Sequence, residues 1–94
     1  MKYEIIPSST FKKDLKLAKK RGLNLSFLKR VIDLLAASDS PLPKEYKDHN
    51  LCGNYEGFRE CHIQPDWLLI YKKNQENLFL YLTRTGSHSD LFKK

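Results

Sequence analysis

No stretch of this 94-residue chain approaches the roughly 18 consecutive apolar residues that a membrane-spanning helix needs, so no membrane helix is expected. Cysteine is scarce. Cys52 and Cys61 are too few for a disulfide framework, and neither has the closely spaced partner of a zinc finger. We expect free thiols and no structural zinc. The opening Met1-Lys2-Tyr3-Glu4-Ile5-Ile6 has no apolar signal segment, so the expected location is the cytoplasm. Gly53, Gly57 and Gly86 fit turns, and none belongs to a phosphate-cradling motif. Internal repeats and low-complexity segments are also absent.

What remains is a well-mixed sequence of one-domain size, expected to fold as a single unit over residues 1–94. Its apolar fraction of 40% suits a real core, and its net charge is +6. The excess lies in the first half. Residues 1–48 carry eleven Lys/Arg against six Asp/Glu, with Lys12, Lys13, Lys16, Lys19, Lys20 and Arg21 crowded together. That pattern fits a nucleic-acid footprint or a dock for an acidic partner. By itself it fits a solvated helix face somewhat better.

The spacing predicts the elements. Lys2 to Ile6 reads as a strand ended by Pro7. Ser8, Ser9 and Thr10 are N-cap candidates for a helix whose Phe11, Leu15 and Ala18 share one face, with Gly22 at its end. Asn24 begins a second helix with Leu28, Val31, Ile32 and Leu35 as its apolar stripe, ending near Ser38. Ser38 to Pro43 is a loop. Phe58 to Ile63, Trp67 to Lys73 and Leu78 to Arg84 read as strands, the last apolar on both sides as a central strand would be. His88 to Phe92 suits a last helical turn. The expected fold is α+β, in the order β-α-α-β-β-β. Three strands form an antiparallel meander, strand one joins its edge, and a helix hairpin covers one face. Alternation along Phe58 to Ile63 puts Phe58, Glu60 and His62 on the other face.

The stretch from Lys47 to Trp67 is too polar to be core alone, and its turn formers break it into loop, strand and turn. It holds His49, His62, Arg59, Asp66 and the only tryptophan; His88 follows a later turn. Cutting RNA without a metal requires a base for the 2′-OH, an acid for the departing 5′ oxygen and a cation for the phosphorane charge. Histidine suits both proton roles and arginine the third. His49, His62, His88, Asp66, Arg59 and Arg84 are the available groups. The same residues could serve a metal, but Pro65 forbids a helix between His62 and Asp66, so we expect no metal site and no cofactor. Trp67 reads more readily as core than as a stacking surface for a base, and Phe92 as either.

A longer series is more specific than any of these pieces. Lys47-Asp48-His49, Leu51-x-Gly53, Gly57-Phe58-Arg59, His62, Pro65-Asp66-Trp67-Leu68-Leu69-Ile70-Tyr71 and Arg84-Thr85-Gly86-Ser87-His88 resemble the YafQ-type toxins of the RelE/ParE superfamily. Lys13-Asp14-Leu15-Lys16 and Lys19-Lys20-Arg21-Gly22 are similar to that family's first helix. The resemblance covers nearly the whole chain. It implies a compact, microbial-RNase-like fold with a curved antiparallel sheet, and an endoribonuclease that cuts mRNA in the ribosomal A site. It also implies a cognate antitoxin that silences the toxin. The family's catalytic positions fall on His49, His62, Asp66 and His88. Lys47, Trp67, Arg84 and Phe92 match its substrate-contacting segments. On that basis His88 is the proton donor, His49 or Asp66 the base, and His62 with Arg84 the charge stabiliser; those roles can be permuted. Asn50 stands where the family commonly has proline, which leaves that loop less rigid. The competing expectation is a ParE-like toxin of the same fold that acts by binding and needs no proton-transfer residues.

Overall fold

A computed structural model describes residues 1–92. The chain runs β1 (Glu4–Pro7), α1 (Ser9–Lys20), α2 (Leu25–Ala37), β2 (His49–Asn50), β3 (Arg59–Gln64), β4 (Trp67–Asn74), β5 (Phe79–Gly86) and α3 (His88–Phe92). Helix α1 begins where the Ser8 hydroxyl accepts the Phe11 N–H at 2.9 Å. The same hydroxyl donates to the Thr83 carbonyl, which ties the helix start to β5. The helix stops at Gly22, whose φ of +78° is open to glycine at little cost. There the Leu23 N–H reaches the Ala18 carbonyl and the Gly22 N–H the Lys19 carbonyl, satisfying the last turn. The Asn24 side chain caps α2 by accepting the Ser26 N–H.

The five strands lie in the order β1-β5-β4-β3-β2. β3, β4 and β5 form the expected meander, but β1 runs parallel to β5, pairing Glu4 with Phe79 through Pro7 with Leu82. The sheet is therefore mixed, not wholly antiparallel. Hairpin turns dictate direction only for the strands they join, and an edge strand satisfies its backbone groups in either sense. β5 is flanked on both sides, by β1 and β4, as expected, and β4 stands in the middle of the five with Trp67 to Tyr71 all buried. β2 was not expected. Its two residues acquire strand geometry only by pairing with Arg59 and Glu60.

Two cores flank the sheet. Trp67, Leu69, Tyr71, Cys61 and Ile63 face α1 and α2, where Phe11, Leu28, Val31 and Leu35 meet them. On the opposite face Leu68 and Ile70 pack with Leu91, Tyr55, Phe58 and Phe92. That second cluster explains why Phe58 points away from the helices. It also builds a floor under α3.

Candidate active site

The alternation along β3 lifts Glu60 and His62 onto the face away from α1 and α2, and cross-strand pairing sets His49 beside Glu60. Glu60 lies deep, with its side chain 5% exposed, and Oε1 is 3.5 Å from Nε2 of both His49 and His62. A carboxylate so withdrawn from water needs polar partners close by, and the two ring nitrogens are beside it. The ring centroids of His49 and His62 are 6.3 Å apart, and those of His62 and His88 are 5.8 Å apart. Three histidines separated by up to 39 positions thus form one row, with His62 in the middle.

The two outer rings are each fixed through Nδ1. His49 Nδ1 is 2.7 Å from the Lys47 carbonyl, an arrangement in which Nδ1–H donates and Nε2 is left as an acceptor. Lys47 provides that carbonyl from a left-handed backbone conformation, φ 50°. His88 Nδ1 is 2.6 Å from Asp66 Oδ1, which also accepts the His88 backbone N–H at 3.0 Å. These two bonds, backbone first, hold the Asp66 carboxyl below the usual carboxylate range. An ionised Asp66 bonded to Nδ1 fixes the ring and leaves Nε2 as its free nitrogen.

His88 starts α3, which is only five residues long and is held from three sides. Ser87 and Asp90 cap each other, Ser87 N–H to Asp90 Oδ2 at 3.0 Å and Asp90 N–H to Ser87 Oγ at 3.1 Å. Arg21 of α1 grips Asp90 at 2.6 and 3.2 Å. Leu91 is buried against the second core. At Gly86 a Cβ would sit 3.0 Å from the Asp90 side chain, so a larger residue at the β5–α3 corner would press on the group that caps α3.

The structure brings His49, His62, Asp66 and His88 together, with Lys47 and Phe92 beside them, and buries Trp67 away from them. Trp67 is a correction: it is 2% exposed in the helix-side core and its indole N–H donates to Thr85 Oγ1 at 3.0 Å. Alternation along β4 puts Trp67 on the helix side with Leu69 and Tyr71, so it cannot stack on a substrate base. Arg84 is the second correction. Its Nε and Nη2 are engaged by Asp14 of α1 at 2.7 and 3.1 Å, so that edge of its guanidinium serves the fold and not a phosphate. Phe92 is half-buried, edge-on to Tyr55 and 6.5 Å from His88. Lys47 is exposed beside His49.

Glu60 is the residue that sequence reasoning left out of the site. Its signal was the alternation that also placed His62. Behind the site, Asp48 accepts from Tyr71 Oη at 2.7 Å and from Arg59 Nε and Nη2, while Arg59 Nη1 donates to Asn50. This brace pins β2, and with it His49, to β3. Burial, followed by the Asp48 hydrogen bond, pushes the Tyr71 hydroxyl far above its ordinary pKa, so it stays a donor.

Glu60, His62 and His88 each present one ligand atom within 4.8 Å of the others, and they could hold a metal ion. Without one, the arrangement offers an acceptor at one end, a fixed imidazole at the other and a third ring between them.

A small basic α+β domain carrying such a row fits a class of compact bacterial toxins. The chain matches the family described as "Bacterial toxin of type II toxin-antitoxin system, YafQ" over residues 3–93. It belongs to that family. It is 45% identical over 85 residues to the mRNA interferase toxin YafQ of Escherichia coli strain K12, covering 90% of each chain. It superimposes on the toxin of the E. coli DinJ-YafQ toxin-antitoxin complex with a TM-score of 0.87 at 42% identity, covering 98% of this chain and 99% of that one. A metal-bound toxin from Helicobacter pylori gives a TM-score of 0.88 at 46% identity, with 96% and 99% covered.

Proposed function

We propose that this toxin cuts mRNA held in the ribosomal A site, without a metal, by turning the ribose 2′-OH against its own phosphodiester. As a YafQ-family member it is the toxin of a type II toxin-antitoxin pair with mRNA interferase activity, and it has an antitoxin partner. The observation that carries the cleavage chemistry is the row of three imidazoles over one buried carboxylate.

In the reading that this row supports, His49 Nε2 takes the 2′-OH proton. The 2′ oxygen then bonds to phosphorus, the bond from phosphorus to the 5′ oxygen breaks, and His88 Nε2 gives that oxygen a proton. The products are a 2′,3′-cyclic phosphate and a 5′-hydroxyl. His62, between the two, faces the charge that builds on the phosphate oxygens. Glu60 balances whichever neighbouring ring is charged. Asp66 orients His88 and is not the base, because the hydrogen bonds from His88 hold its carboxyl below the usual range and make it a weaker proton acceptor. The activity is assigned to residues 1–94 acting as one domain in the cytoplasm.

The test is cleavage of mRNA on programmed ribosomes, with the 3′ ends mapped. The parent should leave 2′,3′-cyclic phosphate ends. His88→Ala should stay folded and lose about 10²–10⁴-fold in rate, the usual size of a proton-transfer role. Ends lacking that phosphate, or undiminished cutting by His88→Ala, would overturn the reading.

A further inference from the structure

The sheet has an opening that the imidazole row does not use. β2 pairs with β3 only at Arg59 and Glu60, so among the described residues the outer edge of β3 from Cys61 onward has no strand beside it. A cleft of about 480 Å³ fills that gap, within the usual range for small-molecule sites. Its walls come from α2 (Phe27 and Arg30), the 3-10 turn at Lys44–Tyr46 with Lys47, and β3 with the turn after it. His62 forms part of the rim, so the cleft opens from the middle of the row.

Phe27 and Arg30 are three positions apart on α2 and therefore neighbours on its surface. Both lie off the buried stripe of Leu28, Val31 and Leu35. Phe27 is 45% exposed, the one aromatic among the described residues shown to such a degree. A single exposed apolar side chain is ordinary. One set in the wall of a cleft beside exposed Arg30 and Lys47 is less so. Among the described residues neither cation makes an ion pair within 4 Å, even though Glu45 shares the cleft. An unpaired aromatic face and two unpaired cations are what an unstacked nucleotide requires: a platform for the base and positive charge for its phosphate.

We propose that this cleft is a nucleotide subsite, which takes a base flanking the scissile phosphate onto Phe27 and sets the adjoining phosphate against Arg30 and Lys47. The proposal rests on the cleavage reading above for the position of the scissile bond. It gives the protein a means of choosing where to cut that is separate from the means of cutting.

Phe27→Ala and Arg30→Ala should each raise KM for ribosome-bound mRNA about tenfold and leave kcat unchanged, and Phe27→Ala should also alter the map of 3′ ends. Phe27→Trp, which keeps a stacking face, should retain the parent KM. Unchanged KM and an unchanged map in both alanine variants would overturn the subsite. So would a loss confined to antitoxin binding, which would make the cleft a protein contact. A second arm reads binding without cutting: a 2′-O-methyl pentaribonucleotide is titrated into the parent while backbone amides are followed by NMR. Shifts at residues 27, 30 and 47 from a parent that fails to cut would keep the subsite and remove the cleavage reading. Cutting by the parent, with no response at those amides and no effect of the variants, would do the opposite.

Discussion

Glu60 sits where a carboxylate is costly to keep, 5% exposed and 3.5 Å from two imidazoles. Replacing it tests whether that charge matters to the reaction or only to packing. Glu60→Gln preserves the shape and removes the charge. It should slow single-turnover cleavage about 10²-fold while the denaturant midpoint changes little, because the catalytic load falls on proton transfer by its neighbours. At this scale the sequence was legible where a rule of alternation or spacing applied. The period of two along β3 put Glu60 and His62 on one face, away from Cys61 and Ile63, and the structure keeps that division. It was not legible where a partner is remote. Nothing near Arg84 announces Asp14, 70 positions earlier.

Among the elements, α3 has the least support of its own, since five residues do not make a stable helix unaided. Its place depends on the Leu91 side chain, the reciprocal cap and the Arg21 fork. Leu91→Ala should cost about 2–5 kcal/mol in urea unfolding, and should slow cleavage because His88 rides on the same turn. Asp90 carries a pH signature. Hydrogen bonding from Arg21, then from the Ser87 N–H, holds its carboxyl far below the ordinary 3.8. A depressed folded value adds stability that is present in full above pH 3.8 and is lost as pH falls through the lower value. Asp90→Asn should therefore be less stable than the parent at neutral pH, with the urea midpoints of the two converging well below pH 3.8. The two long helices and β3 to β5 could be read from caps and periodicity almost to the residue. The pair His49–Asn50 could not, because two residues have no period and owe their geometry to β3.

For the molecule as a whole, the remaining question is whether metal takes part, since Glu60, His62 and His88 could close around an ion. If cleavage runs on imidazoles alone, a zinc-selective chelator that spares the magnesium of the ribosome should leave the rate unchanged. A loss of rate restored by added zinc would assign those three residues to an ion instead. The mixed topology has a different consequence. β1 pairs with β5, so Glu4 waits for Phe79 and the sheet closes around residues some 75 positions apart. His88 follows β5 by a further two residues. While the chain is still being translated, the emerging half has helices and basic charge but no complete row of imidazoles. Any piece of the chain that stops short of His88 therefore has strands and helices but not the assembled site.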